Sequence, residues 1–174
     1  MQSFATSLSK VLGPRSKSRD GAYRDHFHEA TRLVFCVYHG IGVSSVQRRQ
    51  RTMCVRFDSD FIWSGKTHLL SYIEMILSGA VAVQINYGGE NKEMVRAIVE
   101  AERVYNIADN SQRFLLDNLE QIVHSSCRKA SMHLADPKIM EATASITRHF
   151  MRSESDLKGN SLDEVIDLTR MRLS

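Results

Sequence analysis

The segment Ser64-Gly65-Lys66-Thr67 is the clearest candidate for chemistry, because it matches the end of a phosphate-binding loop. That loop requires Gly-x-x-x-x-Gly-Lys-Ser/Thr, since its backbone N–H groups must wrap around the phosphates. Asp60 occupies the position of the first glycine, and its carboxylate would repel a phosphate group. The three residues after Asp60 are bulky at the point where the loop must turn tightly. We therefore predict an ordinary helix with Ser64 as its N-cap, and no nucleotide site.

The seven histidines and three cysteines do not show the spacing of a metal site. Cys36 and His39 lie in a segment that favours a β-strand, where residues three apart point to opposite faces. His26 and His28 share a face only in an extended segment, and neither pair is joined by two further ligands at structural-zinc spacing. The odd number of cysteines and the absence of Cys-x-x-Cys predict free thiols in a protein that is not secreted.

Nucleophilic catalysis has no complete set of residues in this sequence. Cys127 follows two serines and has only His124 nearby along the chain, whereas a catalytic cysteine needs a base and a stabilised thiolate. No Gly-x-Ser-x-Gly element occurs. The paired carboxylates of Asp163 and Glu164 are explained by a capping role at the start of a helix rather than by catalysis. The sequence therefore predicts a protein that is not an enzyme and needs neither a cofactor nor a small-molecule substrate.

Two groups of basic residues indicate anionic partners. The first is Arg48, Arg49 and Arg51, at the predicted tip of a hairpin, which is a candidate contact for RNA. The alternative is a solvated hairpin end, since the tip contains no aromatic residue on which a base could stack.

The second group lies at the N-terminus, where the first 24 residues contain five basic residues and one acidic residue. The net charge of the whole chain is +3, so this segment holds all of the positive excess. Apolar residues recur there at the spacing of one helix face, and basic residues follow at once. This arrangement predicts a membrane-binding or self-association element that comprises Phe4, Leu8, Lys10, Val11, Leu12, Arg15, Lys17 and Arg19. A cleavable mitochondrial transit peptide and a disordered basic tail are the alternatives.

Short apolar segments and longer periodic segments predict the elements that carry these residues. Residues 31–39, 53–57 and 80–87 are rich in β-branched and aromatic residues and are predicted to be strands. One helix is predicted between the second and third strands, ending at Gly79, and four more helices follow. No run of 18 apolar residues occurs, so we expect no membrane-spanning segment.

Clustered strands followed by a run of helices predict an α+β fold. We expect a small antiparallel sheet of about three or more strands, packed with four to five helices. The predicted organisation is a mobile basic tail over residues 1–20 and a single globular domain over residues 21–174.

Within the helical part, several signals are specific enough to test. Asp136-Pro137 predicts an N-cap followed by proline at the first helical position. Ser161 and Glu164 have the spacing of a capping box. One predicted buried stripe consists of Met94, Val95, Ile98, Val99 and Tyr105, and a second includes Phe114 and Leu115.

The N-terminal segment resembles the start of rhabdovirus matrix proteins, particularly the compact plant-infecting members. The similarity lies in Leu8-Ser9-Lys10-Val11-Leu12-Gly13 and the basic stretch up to Arg19. Chain length and the order of strands and helices are also similar to that family. The sequence departs from the animal-virus pattern, because its two prolines, Pro14 and Pro137, form no Pro-Pro-x-Tyr or Pro-Thr-Ala-Pro motif. Recruitment of host scission machinery through such a motif is therefore in doubt.

The resemblance implies a structural protein of the virion and host cytoplasm. It implies open-ended self-association, binding to the anionic inner membrane leaflet and condensation of the nucleocapsid or its RNA. Two other functions remain open from the sequence: a small RNA-binding regulatory or silencing-suppressor protein, and an imported mitochondrial protein.

Overall fold

The computed structural model describes residues 20–88 and 92–174. The predicted tail residues lie outside these ranges: Phe4, Leu8, Lys10, Val11, Leu12, Arg15, Lys17 and Arg19. The described chain begins with helix α1, continues through a hairpin and a short 3-10 helix, and ends with five further helices. These elements are α1 Asp20–His39, β1 Val43–Arg49, β2 Thr52–Phe57, the 3-10 helix Ser59–Ser64, α2 Lys66–Tyr87, α3 Lys92–Asn110, α4 Leu119–Leu134, α5 Pro137–Arg152 and α6 Asn160–Leu173.

Helix α2 is the centre of the domain. Every residue from 72 to 83 is buried, because α1, α3 and α4 all pack against it. By length and composition α2 is apolar enough to cross a membrane, and 72% of its most apolar stretch is buried inside the protein. The burial identifies α2 as the core helix of this domain.

Two of the three predicted strands are helical in the structure. Residues 31–39 form the second half of α1, and residues 80–87 form the end of α2. Both predictions were wrong because a short, continuous apolar run does not distinguish a buried strand from a buried helix. In a central helix such a run is covered from all sides, and its backbone hydrogen bonds are made within the helix itself.

Gly79 lies in the middle of α2, so the predicted helix end at this residue was also wrong. A Cβ atom at this position would lie 2.6 Å from the backbone oxygen of His28 on α1. The glycine therefore permits the two helices to cross at short distance.

The hairpin contains the strand that was predicted correctly, over residues 53–57. β1 and β2 pair antiparallel and end at the Arg49–Thr52 pair, with Gln50 at a positive φ of 50° in the turn. Leu157 adds one bridge beside β1, through hydrogen bonds of 2.9 and 2.8 Å with Val46. In the described residues the sheet has two strands, one fewer than expected, so the fold is mostly helical with a small antiparallel sheet.

Gly40 ends α1. Its φ of 72° is in the left-handed region that glycine adopts readily. Strand β1 then begins at Val43.

The four helices predicted after the sheet are confirmed as α3 to α6. Asp136 caps α5, since its Oδ1 accepts a hydrogen bond of 2.9 Å from the backbone N–H of Lys138, and Pro137 is at the first turn. The capping box at Ser161 was wrong, because Gly159 is the N-cap of α6 and the Ser161 hydroxyl bonds to the backbone of Lys158. Phe114 and Leu115 belong to the loop before α4, not to a helix.

Candidate functional site

Helix α3 presents several apolar side chains to solvent. Val95, Ile98 and Val99 are 64%, 37% and 41% exposed, and we call these three residues the α3 apolar patch. The fully buried residues of the same helix are all small: Ala97, Ala101 and Ala108. Alanines facing the core and β-branched residues facing water are the reverse of the usual order in a surface helix. The outer face of α3 therefore carries three exposed apolar side chains.

Ion pairs hold α3 against α1 and fix which face points outwards. Arg24 lies 3.0 Å from Glu93, and Arg32 lies 3.0 Å from Glu100. Both pairs join the first half of α3 to α1. The α3 apolar patch is therefore presented by a fixed surface rather than by a loop.

The sequence prediction treated the patch residues as part of a buried stripe, and for them it was wrong. Only Met94 and Tyr105 of that stripe are partly buried against the core. The alanines at 97, 101 and 108 carry the signal that could have corrected the prediction, since they share the opposite face of the same helix.

The three arginines of the predicted RNA contact do not act as one group. The backbone N–H of Arg48 donates to Asp156 Oδ1 at 2.8 Å, and its guanidinium donates to the carbonyl of Ser153. Arg49 and Arg51 are exposed at the turn. Neither side chain has a hydrogen-bond or ion-pair partner among residues 20–88 and 92–174. Arg48 therefore ties the hairpin to the segment after α5, and two cations remain available to an anionic partner.

A charged cavity of about 330 Å³ lies between α1, α3 and the hairpin. Its main feature is the side chain of Glu29, whose Oε2 accepts a 2.9 Å hydrogen bond from the backbone N–H of Val55. Burial alone would raise the pKa of Glu29. The charge of Arg32, together with hydrogen bonds from His28 and Val55, outweighs burial and lowers the pKa of Glu29 to about 2. The carboxylate is therefore ionised at neutral pH.

Arg32 connects this network to two other elements. Its guanidinium pairs with Glu29 at 3.5 Å and with Glu100 at 3.0 Å, and it lies 4.8 Å from the centre of the Phe57 ring. The charges around the cavity are thus largely paired with one another. Their evident effect is to join α1 to the hairpin and to α3.

Three helices bring together a group of side chains that sequence reasoning missed. His133 Nδ1 on α4 lies 2.6 Å from Glu74 Oε1 on α2, and His39 Nε2 on α1 lies 3.4 Å from the same oxygen. Burial raises the pKa of Glu74, but the close approach of His39 and His133 outweighs burial and leaves the pKa lowered. The three residues are far apart along the chain, so no local spacing indicated the group. The strand predicted for residues 31–39 also obscured the helical position of His39.

The remaining sequence candidates are placed as follows. Residues Ser125 to Cys127 lie within α4, and burial raises the pKa of the Cys127 thiol. Burial raises the pKa of Cys36 to about 12. Both thiols are therefore protonated at neutral pH, which disfavours them as nucleophiles.

At the loop-like segment near residue 64, helix α2 begins at Lys66, with Gly65 rather than Ser64 as the N-cap. Asp60 lies in the 3-10 helix, where its backbone N–H donates a 2.9 Å hydrogen bond to Asp58. A short helix thus precedes this segment, whereas a phosphate-binding loop follows a strand.

Comparison with known proteins adds no relative to these observations. No protein-family model matches the sequence, and no curated protein matches it significantly.

Proposed function

We propose that the protein is a viral matrix-type structural protein, which binds the inner membrane leaflet, self-associates and condenses a ribonucleoprotein. The observation that carries the proposal is the α3 apolar patch. Contiguous exposed apolar residues on a rigid helix mark a surface that binds another protein or a membrane. The lowered pKa of Glu29 and the paired charges around it support a structural role for the neighbouring cavity.

The patch supports a weak, repeatable contact. Its three side chains are partly exposed, so covering each one contributes about 1 kcal/mol. A contact of this strength forms only when the local concentration is high. Attachment to a membrane surface provides that concentration, because it confines many copies to a thin layer.

The partner that suits the patch is the N-terminal segment of a second copy. That segment carries apolar residues at helical spacing, including Phe4, Leu8 and Leu12, and is strongly basic. The exposed carboxylate of Glu102 lies one turn beyond Val99 and Ile98, where it can pair with a basic residue of the segment. A contact between two different surfaces of identical chains produces open filaments or lattices rather than closed dimers.

The same N-terminal segment supplies the affinity for membranes. Each lysine or arginine near an anionic bilayer contributes about 1 kcal/mol, and the segment also has an apolar face. Arg49 and Arg51 add a second cationic surface, which suits contact with the RNA of a ribonucleoprotein.

Liposome co-sedimentation tests the proposal directly. Full-length protein should sediment with vesicles that contain anionic lipid, weakly with neutral vesicles, and less at high salt. A truncated chain that starts at Gly21 should remain folded by circular dichroism and stay in the supernatant. Equal sedimentation of both chains would contradict a membrane role for the N-terminal segment.

A small RNA-binding regulatory protein is the second candidate, and the two exposed arginines of the hairpin turn, Arg49 and Arg51, favour it. That function requires tight RNA binding by a monomer. The matrix-type function requires assembly, with RNA contact as one part of it. Measuring the molecular mass at the concentration where RNA is bound separates the two.

A further inference from the structure

The group formed by His39, Glu74 and His133 has the composition of a metal site. Two imidazoles and one carboxylate converge from α1, α2 and α4, and their three ligand atoms all lie within 4.8 Å of one another. We propose that these residues bind a divalent transition-metal ion, with Zn²⁺ as the best match. The ion would connect the three helices that form the core of the domain.

The two separations from Glu74 Oε1 are close to those that coordinated zinc requires. Bonds of about 2.0–2.1 Å in a tetrahedral arrangement place neighbouring ligand atoms roughly 3.3 Å apart. The separation of 3.4 Å between His39 Nε2 and Glu74 Oε1 already has this value. His133 Nδ1, at 2.6 Å from the same oxygen, must move outwards by less than about 1 Å. Its side chain is about one-third exposed, so it has room for that adjustment.

A buried nitrogen that lies 3.4 Å from Glu74 Oε1 but lacks a well-formed hydrogen bond favours an ion over a purely hydrogen-bonded cluster. Among the described residues, His39 Nε2 is buried and makes no hydrogen bond of acceptable geometry. A buried polar atom in this state costs free energy. A metal ion between the three side chains would satisfy His39 Nε2.

The ligand types select the class of ion. Imidazole nitrogen suits Zn²⁺, Cu²⁺ and Ni²⁺, whereas Mg²⁺ and Ca²⁺ take oxygen ligands. Three protein ligands leave the fourth position of a tetrahedral ion for water. His133 is about one-third exposed, and it borders Tyr38, a half-exposed residue whose ring centre lies 4.8 Å from that of His133.

Isothermal titration of the metal-free, full-length protein with Zn²⁺ tests the proposal, with Mg²⁺ as the reference ion. We expect one Zn²⁺ per chain and no binding of Mg²⁺. At a hundredfold excess over the dissociation constant, Zn²⁺ should raise the melting temperature by roughly 5–10 °C, and a chelator should reverse the rise. Absence of Zn²⁺ binding by the wild-type chain would overturn the proposal.

Substitutions locate the ion. His133→Gln retains an amide that can donate to Glu74, so the fold is preserved while a ligand is lost. This variant and His39→Gln should each weaken Zn²⁺ binding by more than about tenfold. The matched control is His124→Gln, which removes an exposed histidine from the same helix and should leave affinity unchanged. Wild-type affinity in both ligand variants would overturn the site.

Substitution with Co²⁺ distinguishes these residues from the three thiols. Nitrogen and oxygen ligands give visible bands without the intense near-ultraviolet absorption of a cobalt–thiolate bond. Thiolate absorption, or Zn²⁺ binding that survives His133→Gln but is lost on alkylation of the cysteines, would place the ion elsewhere and overturn the proposal.

Discussion

Glu29 shows how a single buried carboxylate organises this protein. It bonds to the backbone of β2 through Val55, and it pairs with Arg32, which in turn reaches Glu100 on α3. Removing one member of such a buried group leaves the others unpaired, and the cost then exceeds that of one surface ion pair. The orientation of α3, and with it the α3 apolar patch, depends on this network.

The lowered pKa of Glu29 predicts a specific loss of stability in acid. The folded-state value is about 2, against an ordinary value of 4.5. Stabilisation by the ionised carboxylate is therefore fully present above about pH 4.5 and is lost as the pH falls towards 2. The full difference is of the order of 3 kcal/mol. Urea denaturation across this pH range should show the loss, and Glu29→Gln should flatten that part of the curve. A Glu29→Gln profile parallel to the wild-type profile would contradict the assignment.

Gly79 gives a prediction about packing. In Gly79→Ala, the added methyl group would meet the backbone of His28 at 2.6 Å, so α1 and α2 must separate. We expect a loss of about 2–3 kcal/mol in the free energy of unfolding. The matched control is Gly21→Ala, where no other element of the described structure lies within 4 Å of the new methyl group and alanine favours the helix. Equal denaturation midpoints for the two variants would show that the close packing of α1 against α2 does not require glycine at position 79.

At the scale of elements, the sequence correctly predicted the helices and the strand that have local sequence signals. β2 was recognised from alternation, α5 from Asp136-Pro137, and the four later helices from their periodicity. The buried runs at 31–39 and 80–87 were assigned to strands, because nothing local distinguishes a core helix that is apolar on all sides. Gly79 was predicted to end a helix because the contact that requires a glycine there, with the backbone of His28, is made by another helix.

The candidate surfaces also differ in how far they could be predicted, because some are formed by neighbouring residues and others by elements distant along the chain. The cationic hairpin turn is a local feature. All three of its arginines are exposed in the structure, and only the Arg48 side chain is bonded to another described residue. The α3 apolar patch could not be told from a buried stripe without knowing which face meets α2. The group around Glu74 forms only where three helices meet, so the spacing of its residues along the sequence could not predict it.

The hairpin turn predicts an RNA contact carried by two residues rather than three. Arg49→Ala with Arg51→Ala should weaken RNA binding and reduce the slope of log affinity against log salt by about two at most. Arg48→Ala serves as the structural comparison, because that side chain bonds to Ser153 and should mainly loosen the segment after α5. Filter binding across a salt series measures the slope. Unchanged affinity in the double variant would remove the hairpin as an RNA contact.

At the scale of the whole molecule, the proposed function depends on two surfaces of opposite character. One is the basic and apolar N-terminal segment, and the other is the α3 apolar patch on the folded domain. The first can bind either a membrane or the second surface of another copy. Assembly should therefore respond to concentration, salt and membrane together, since all three change how often the two surfaces meet.

The measurement that tests this account most directly is the molecular mass by light scattering, across a concentration series at low salt. Wild-type protein should be monomeric when dilute and form growing assemblies when concentrated. Val95→Ser with Val99→Ser removes about 1 kcal/mol of contact energy per residue, so assembly should require roughly 10- to 30-fold higher concentration. Valine and serine have similar helix propensities, so α3 should persist.

Met171→Ser is the matched control, since Met171 is 70% exposed on α6, outside the patch. It should assemble like the wild-type protein. A wild-type chain that stays monomeric at every concentration, or a Val95→Ser, Val99→Ser double variant that assembles like the wild type, would contradict the central claim that α3 carries self-association.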